Sequence, residues 1–371
     1  MTSRREFLTG RPFRDEGDDN VEPVVADLAL LPANTIRLAC TAMASDFEVI
    51  LNPGSGGRLE GASAALHEVD RLEDQLSVYR PMSELSRLNA RGATEEVVVE
   101  SRLFELIERA LQLAGETEGA FDPTAGRMVT LWRTCRRDRR LPTESELEAA
   151  RRSVGSCHVQ LDLQRKSVRF DSPGIELNFN AMGKGYALDR AGELLEQWFE
   201  NELRRQSESG PGEPPIPRSA ANSWLMHGGY SSLLARGSLA GVDGWPVAIR
   251  HPLLPGRTLA TVWLKDRGLS TSGAGVQFFR HQGKRYGHIV DPRTGWPAEG
   301  MLSATVLAPD AATAEALSTA FFVLGVETAR SYCHNHTEVA ALLVPAPASG
   351  GRVEPIVCGL SDSELMFPLD H

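Results

Sequence analysis

The chain has 371 residues, 42% hydrophobic and 24% charged, the make-up of a globular protein with one large domain or about two. Its five cysteines (Cys40, Cys135, Cys157, Cys333, Cys358) are scattered and show no C-x-x-C spacing, which argues against a disulfide framework and a zinc site. A net charge of −10 argues against nucleic-acid binding, which needs basic surface to displace phosphate counterions.

Residues 1–34 are polar, acidic and aperiodic, and read as a disordered lead-in. Ser3-Arg4-Arg5-Glu6-Phe7-Leu8 resembles the start of a twin-arginine export signal. The apolar run of roughly 7–15 residues that should follow is replaced by Arg11, Arg14, Asp15, Glu16, Asp18 and Asp19. No apolar run reaches the roughly 20 residues of a spanning helix, so a soluble, cytoplasmic protein is expected.

Order is expected from Thr35 onward. Phe47–Leu51 alternates as a strand and stops at Asn52-Pro53-Gly54. Leu59–Leu76 and Arg102–Glu116 carry apolar residues at helical spacing. Cys135–Arg140 is a basic patch, read as a solvated loop before an acidic helix, Glu144–Arg152. Ser156–Leu163 and Ser167–Phe170 look like paired short strands, and a helix should run from about Met182 to Glu200. A mobile insertion is expected over 201–221, its Gly/Pro/Ser-rich part being 206–221. Strands follow at Ser223–Met226, Pro246–Arg250, Thr258–Leu264 and Ser303–Leu307. The helix Ala311–Leu324 has Asp310 as its N-cap and Gly325 as its stop. After a strand at Val339–Val344, residues 346–371 read as a loose tail. Helices and strands mix without regular βαβ alternation, so an α+β fold is expected, with one main domain over 35–345.

Four strings carry candidate chemistry. His288-Ile289-Val290-Asp291-Pro292-Arg293-Thr294-Gly295 sets an imidazole, a carboxylate and a turn glycine together. The histidine can act as a base near neutral pH with Asp291 orienting it, or can be a satisfied residue of a structural turn. In Ala311–Leu324, Glu315, Thr319 and Phe322 share one stripe of a helix otherwise small and apolar. Burying that carboxylate alone would cost roughly several kcal/mol, so it either reaches solvent or takes a cation. Magnesium suits such oxygen ligands. Asn178-Phe179-Asn180-Ala181-Met182-Gly183-Lys184-Gly185 is a strand-to-helix turn that can receive an anion, although it matches neither the Walker nor the dinucleotide glycine pattern. His227-Gly228-Gly229 permits close backbone approach to a ligand, or is a plain turn. Gly119–Gly126 is a further turn that presents Phe121 and Asp122 together, while His334 and His336 read as surface residues of a loop.

Read in order with Thr41-Ala42-Met43, Leu76–Asn89 and Ser270-Thr271-Ser272-Gly273, these strings resemble the ApbE-like FAD:protein FMN transferases across roughly residues 41 to 325. The resemblance implies a T-fold-like α+β architecture of mixed sheets flanked by helices, with a ligand cleft between two halves. It implies an enzyme that binds FAD and magnesium and moves FMN to a Thr/Ser hydroxyl of a flavin-acceptor protein, a membrane redox subunit or similar, releasing AMP. A family member that binds FAD without transfer, or one that hydrolyses FAD to FMN and AMP, is the alternative. By motif position His288 would be the catalytic base with Asp291 beside it. Met43, Tyr79, Ala120, Phe121, Asp122, Lys184, Gly228, Gly229, Ser272, His288 and Ile289 would line the flavin nucleotide. The Gly183 carbonyl, Glu315 and Thr319 would hold the metal. The chain departs from the usual family residues at Glu315, Asn178, Asn180, Tyr230 and Ala274-Gly275.

Overall fold

The computed structural model describes residues 26–28, 30–53, 58–208, 222–275, 278–347 and 352–368. The short β1 (Ala26–Asp27) precedes a hairpin of β2 (Ile36–Ala42) and β3 (Ser45–Leu51). The hairpin turns at Met43 and Ala44, both at positive φ, +50° and +56°, as a two-residue turn between twisted strands requires. Helices α1 (Leu59–Leu76) and α2 (Glu84–Arg91), the strand β4 (Val97–Val98) and α3 (Ser101–Glu116) follow. Then come α4 (Gly126–Arg137), α5 (Glu144–Arg151), β5 (Val159–Asp162), β6 (Ser167–Phe170) and the long α6 (Gly183–Glu208).

The second part supplies β7 (Trp224–Gly228), β8 (Ser232–Arg236), β9 (Trp245–Arg250), β10 (Thr258–Leu264), β11 (Gly268–Gly273) and the hairpin β12 (Phe278–His281) and β13 (Lys284–Gly287). It closes with β14 (Met301–Ala308), α7 (Ala311–Leu324), α8 (Val326–Asn335), β15 (Ala340–Pro345), β16 (Ile356–Cys358) and β17 (Leu365–Met366).

Eight antiparallel strands form the central sheet, in the order β16-β15-β14-β11-β8-β7-β3-β2. Side chains of a strand alternate between its two faces, and here both faces are covered. Val49, Leu51, Trp224 and Met226 join the core under α1, α6 and α7. Their neighbours Ile50 and Leu225 join a second core, closed by the four-stranded sheet β1-β9-β10-β17. The architecture is therefore α+β, with antiparallel sheets and flanking helices. No helix among the described residues is long and apolar enough to cross a membrane.

Several sequence expectations move. Order begins before Thr35, since Ala26 and Asp27 pair with Ile249 and Ala248 of β9; residues 1–25 of the expected tail lie outside the described residues. The stretch 346–371 is not a loose tail in its described part. Cys358 pairs with Ala341 and Leu365 with Val262, so the chain end adds an edge strand to each large sheet. Residues 201–208 of the expected insertion continue α6, and 209–221 lie outside the described residues. Half of the basic patch, residues 135–137, is the last turn of α4, and Arg140, in the turn beyond it, pairs with Glu146 at 2.7 Å. His334 lies on α8 rather than in a loop, and His336 stacks on Tyr332 at 4.1 Å.

Candidate functional site

Strand register gathers several of the motif strings at one end of the central sheet. Phe47 faces Gly228, Gly228 faces Ser232, and Ser232 faces Ser270. Beyond this row lie the Met43–Ser45 hairpin, the turn through Gly229 and Tyr230, and Ser272. The hairpin and the turn touch directly, because the Gly229 N–H donates to the Asp46 carbonyl at 2.8 Å. His227 is buried, with its Nε2 3.1 Å from Glu48 and its ring stacked 4.1 Å from that of Tyr230.

Glu315 comes to this region on α7, whose alanine-rich sequence suits a helix packed on nearly every face. Asp310 caps the helix, accepting from the Thr313 N–H at 2.6 Å, and Gly325 ends it at φ +79°. A second carboxylate assists from α6: Asp189 accepts from the N–H groups of Ala311 and Ala312 at 2.8 and 2.9 Å. Burial, and then the neighbouring Asp310, raises the Asp189 carboxyl well above the ordinary carboxylate range. The two helices meet backbone to backbone. A Cβ on Gly185 would stand 2.2 Å from the Ala311 carbonyl oxygen, so only glycine fits there.

This contact sets the start of α6 beside Glu315. The Lys184 ammonium donates to Glu315 Oε1, and the Gly185 N–H donates to Oε2 at 2.7 Å. Side-chain exposures of 21% for Lys184 and 6% for Glu315 make the pair nearly dry. The cation that a buried carboxylate demands is thus a lysine of the same chain. One turn on, Thr319 Oγ1 lies 3.2 Å from Ser272 Oγ and donates to the Glu315 carbonyl at 3.4 Å. Ser318 bridges Ser272, at 2.9 Å, and the same carbonyl, at 2.9 Å. Lys184, Ser272, Glu315 and Thr319 thus belong to one cluster drawn from three elements, and Gly183 precedes Lys184 at the start of α6.

Loops make the other half. Asp122 folds its own turn, accepting from the Thr124 N–H at 2.8 Å and the Ser156 N–H at 3.1 Å, while Ala120 and Phe121 are buried. The Asn178 N–H donates to the Pro123 carbonyl at 2.7 Å, which ties this turn to the one leading into α6. Gly119 adjoins Arg293, so the turn also borders the segment from His288 to Gly295. There His288 is exposed and Ile289 buried. Asp291 grips Arg293 through two bonds of 2.9 Å. That bond, ahead of the nearby charges, raises the Arg293 pKa. Trp132 Nε1 donates to the Gly295 carbonyl at 2.8 Å, and its ring lies 5.9 Å from Tyr286 and 5.4 Å from Trp296. A cavity of about 380 Å³ opens here, lined by Tyr286, Asp291, Trp296 and Val323 but not by Glu315. Tyr79 is 64% exposed, with the Arg133 guanidinium 5.4 Å above its ring and bonded to its hydroxyl.

Three contributors escaped the sequence reading. Asp189 stands five residues after Lys184 in the same string, and its position on one face of α6 was the available signal. Arg133 and Arg293 gave none, since their partners are chosen by how α4 and the loop fold.

The donors Gly183 O, Glu315 and Thr319 are all oxygens, as magnesium prefers. A carboxylate has about four lone-pair sites, so Glu315 can keep the Gly185 N–H while binding a further cation. No cluster of three or more His, Cys, Asp or Glu able to hold a metal occurs among the described residues. A magnesium ion needs none, because one or two carboxylates and substrate phosphates commonly suffice.

The model of the ApbE family matches residues 42–201 and 220–343. The FAD:protein FMN transferase of Vibrio cholerae is 30% identical over 307 residues, covering 80% of this chain and 83% of that protein. That of Treponema pallidum is 32% identical over 292 residues, covering 76% and 77%. Among solved structures, the apbe protein of Thermotoga maritima superposes with a TM-score of 0.72 at 28% identity, covering 86% of this chain and 96% of that one. The flavin transferase ApbE of Vibrio cholerae gives 0.69 at 27% identity, covering 88% and 98%.

Proposed function

The chain belongs to the ApbE family, and from that premise we propose that it is a flavin transferase that takes FMN from FAD and attaches it to an acceptor protein. In finer terms, the acceptor supplies a Thr or Ser hydroxyl, AMP leaves, and magnesium is required. The acceptor's oxygen forms a bond to the phosphorus of the FMN half as the bond from that phosphorus to the bridging oxygen breaks. The bridging oxygen departs with AMP, and the hydroxyl proton passes to His288, which stands exposed at the rim. Such an acceptor would be a redox carrier, for example a membrane subunit.

One arrangement carries this reading: Lys184, Ser272, Glu315 and Thr319, from three stretches far apart in sequence, meet in one polar cluster at the motif-bearing end of the sheet. When bound, magnesium would neutralise charge on the diphosphate, held by the Gly183 carbonyl, Glu315 and Thr319. The chain's own groups do the rest. Lys184 offers an ammonium to a phosphate oxygen, and the Gly228-Gly229 turn lets backbone approach the nucleotide. The segment after β13 holds the base, its turn closed by Trp132 and by the Asp291–Arg293 pair. The test is incubation with FAD, magnesium and a candidate acceptor, read by mass for an FMN adduct and by AMP release. AMP and FMN without an adduct would favour hydrolysis, and tightly held, unconsumed FAD would favour a binding protein.

A further inference from the structure

Within the fold itself Glu315 has a cation, the ammonium of Lys184. Both of its oxygens are occupied, one by the Lys184 ammonium and one by the Gly185 N–H. The three groups differ in their freedom to leave. Glu315 stands in the middle of a buried helix, and the Gly185 amide is fixed where α6 presses on the Ala311 backbone. Lys184 has a flexible stem, is the more exposed member of the pair, and lies in the first turn of α6.

We infer that Lys184 is a removable counter-ion, one that holds Glu315 until a divalent cation replaces it, so that lysine and metal compete for a single carboxylate. This rests on the reading of Glu315 as a metal ligand. The physical reason is twofold. A buried carboxylate left alone is costly, so the empty site must carry some positive charge. An ammonium and a divalent ion on the same carboxylate repel strongly in a water-poor site, so both cannot stay. The displaced ammonium then becomes available to the nearest anion, and a nucleotide diphosphate brought to the same cluster is of the right charge. Conversely, a diphosphate that draws Lys184 away uncovers Glu315 for the metal. By linkage the two ligands raise each other's affinity by the same factor. Lys184 is in this sense a positioning residue that couples the two binding events.

The competition is read by metal binding alone, without turnover. Manganese(II) serves as the probe, with free ion counted by electron paramagnetic resonance, on the full chain in the absence of nucleotide. K184M should bind manganese about tenfold tighter than the parent chain, because no lysine has to be displaced. K184Q, which keeps an amide donor for Glu315 without the charge, should show the same gain and serves where methionine impairs folding. Adding E315Q to either variant should remove the site. Equal or weaker binding in both K184M and K184Q, with the parent chain still binding through Glu315, overturns the inference and leaves the metal reading standing. No saturable binding in any of them overturns the metal reading itself, and the competition with it.

Discussion

Glu315 and His288 are both candidates for the chemistry, yet the fold holds them by opposite means. Glu315 is positioned by two helices packed so tightly that a glycine is obligatory between them. His288 is an exposed residue of a partly buried segment whose shape comes from a salt bridge, a tryptophan N–H bond and the hydrogen bonds of a turn. The first arrangement is rigid because moving it would disrupt the main core. The second can adjust locally, at the cost of a few bonds outside the main core. A group that must present fixed charge to a diphosphate gains from the former. A base that must meet the hydroxyl of another protein gains from the latter.

Replacing Glu315 by alanine should separate the two halves most sharply. FMN transfer is expected to fall by about a thousandfold, in the range found when one group stabilising developing charge is removed. The fold should survive, since Lys184 is exposed enough to turn to solvent. Adduct mass and circular dichroism together check this, and undiminished transfer would contradict the role given to Glu315. Gly185→Ala attacks the same half through packing. Its new methyl would overlap the Ala311 carbonyl carbon and oxygen, so a loss of about 3 kcal/mol in denaturant stability is expected. An unchanged unfolding midpoint would mean that α6 and α7 are not locked as described. On the rim, His288→Ala should reduce transfer by about a hundredfold, as loss of a general base does, while leaving stability within about 0.5 kcal/mol. A large drop in stability with little loss of transfer would recast His288 as a turn residue.

The difference between the halves also explains what could be read from the sequence. The helix Ala311–Leu324 was legible to both ends, since its cap, its stop and its period are local features. So were Leu59–Leu76 and Thr258–Leu264. Charge reasoning on Glu315 left solvent or a cation as its partner, and Lys184, 131 residues earlier, could be matched to it only once the helices were packed. β11 was missed because Gly-Leu-Ser-Thr-Ser-Gly has no clear alternation, and it is a strand because β8 and β14 pair with it on either side. The helix α8 was missed for a related reason: its few buried residues, Ala329 and Cys333, leave little periodicity to detect. The pairing of Asp291 with Arg293, two residues on, depends on how the turn folds.

The smallest expected effect lies in the pH dependence of stability, where the halves should show opposite signs. Asp189, in the buried half, has a raised folded-state pKa, chiefly from burial. Its contribution is therefore fully present below the ordinary unfolded value of about 4 and is lost as pH rises through the folded value. Glu146, on the helix that supports the rim, is held down to about 2, first by its hydrogen bond to Arg140 and then by those from Thr143. Its contribution is present above the unfolded value of about 4.3 and is lost as pH falls toward 2. Being partly exposed to solvent, it should act weakly. Melting temperatures of the parent chain, Asp189→Asn and Glu146→Gln across this range separate the two. The margin of the parent over Asp189→Asn should shrink with rising pH, whatever constant offset the amide introduces at the α7 cap. The margin over Glu146→Gln should grow up to about pH 4.5 and then level off. If the Asp189 margin grew as well, the carboxylate's two backbone bonds would outweigh its burial, and α7 would be capped by an ionised group.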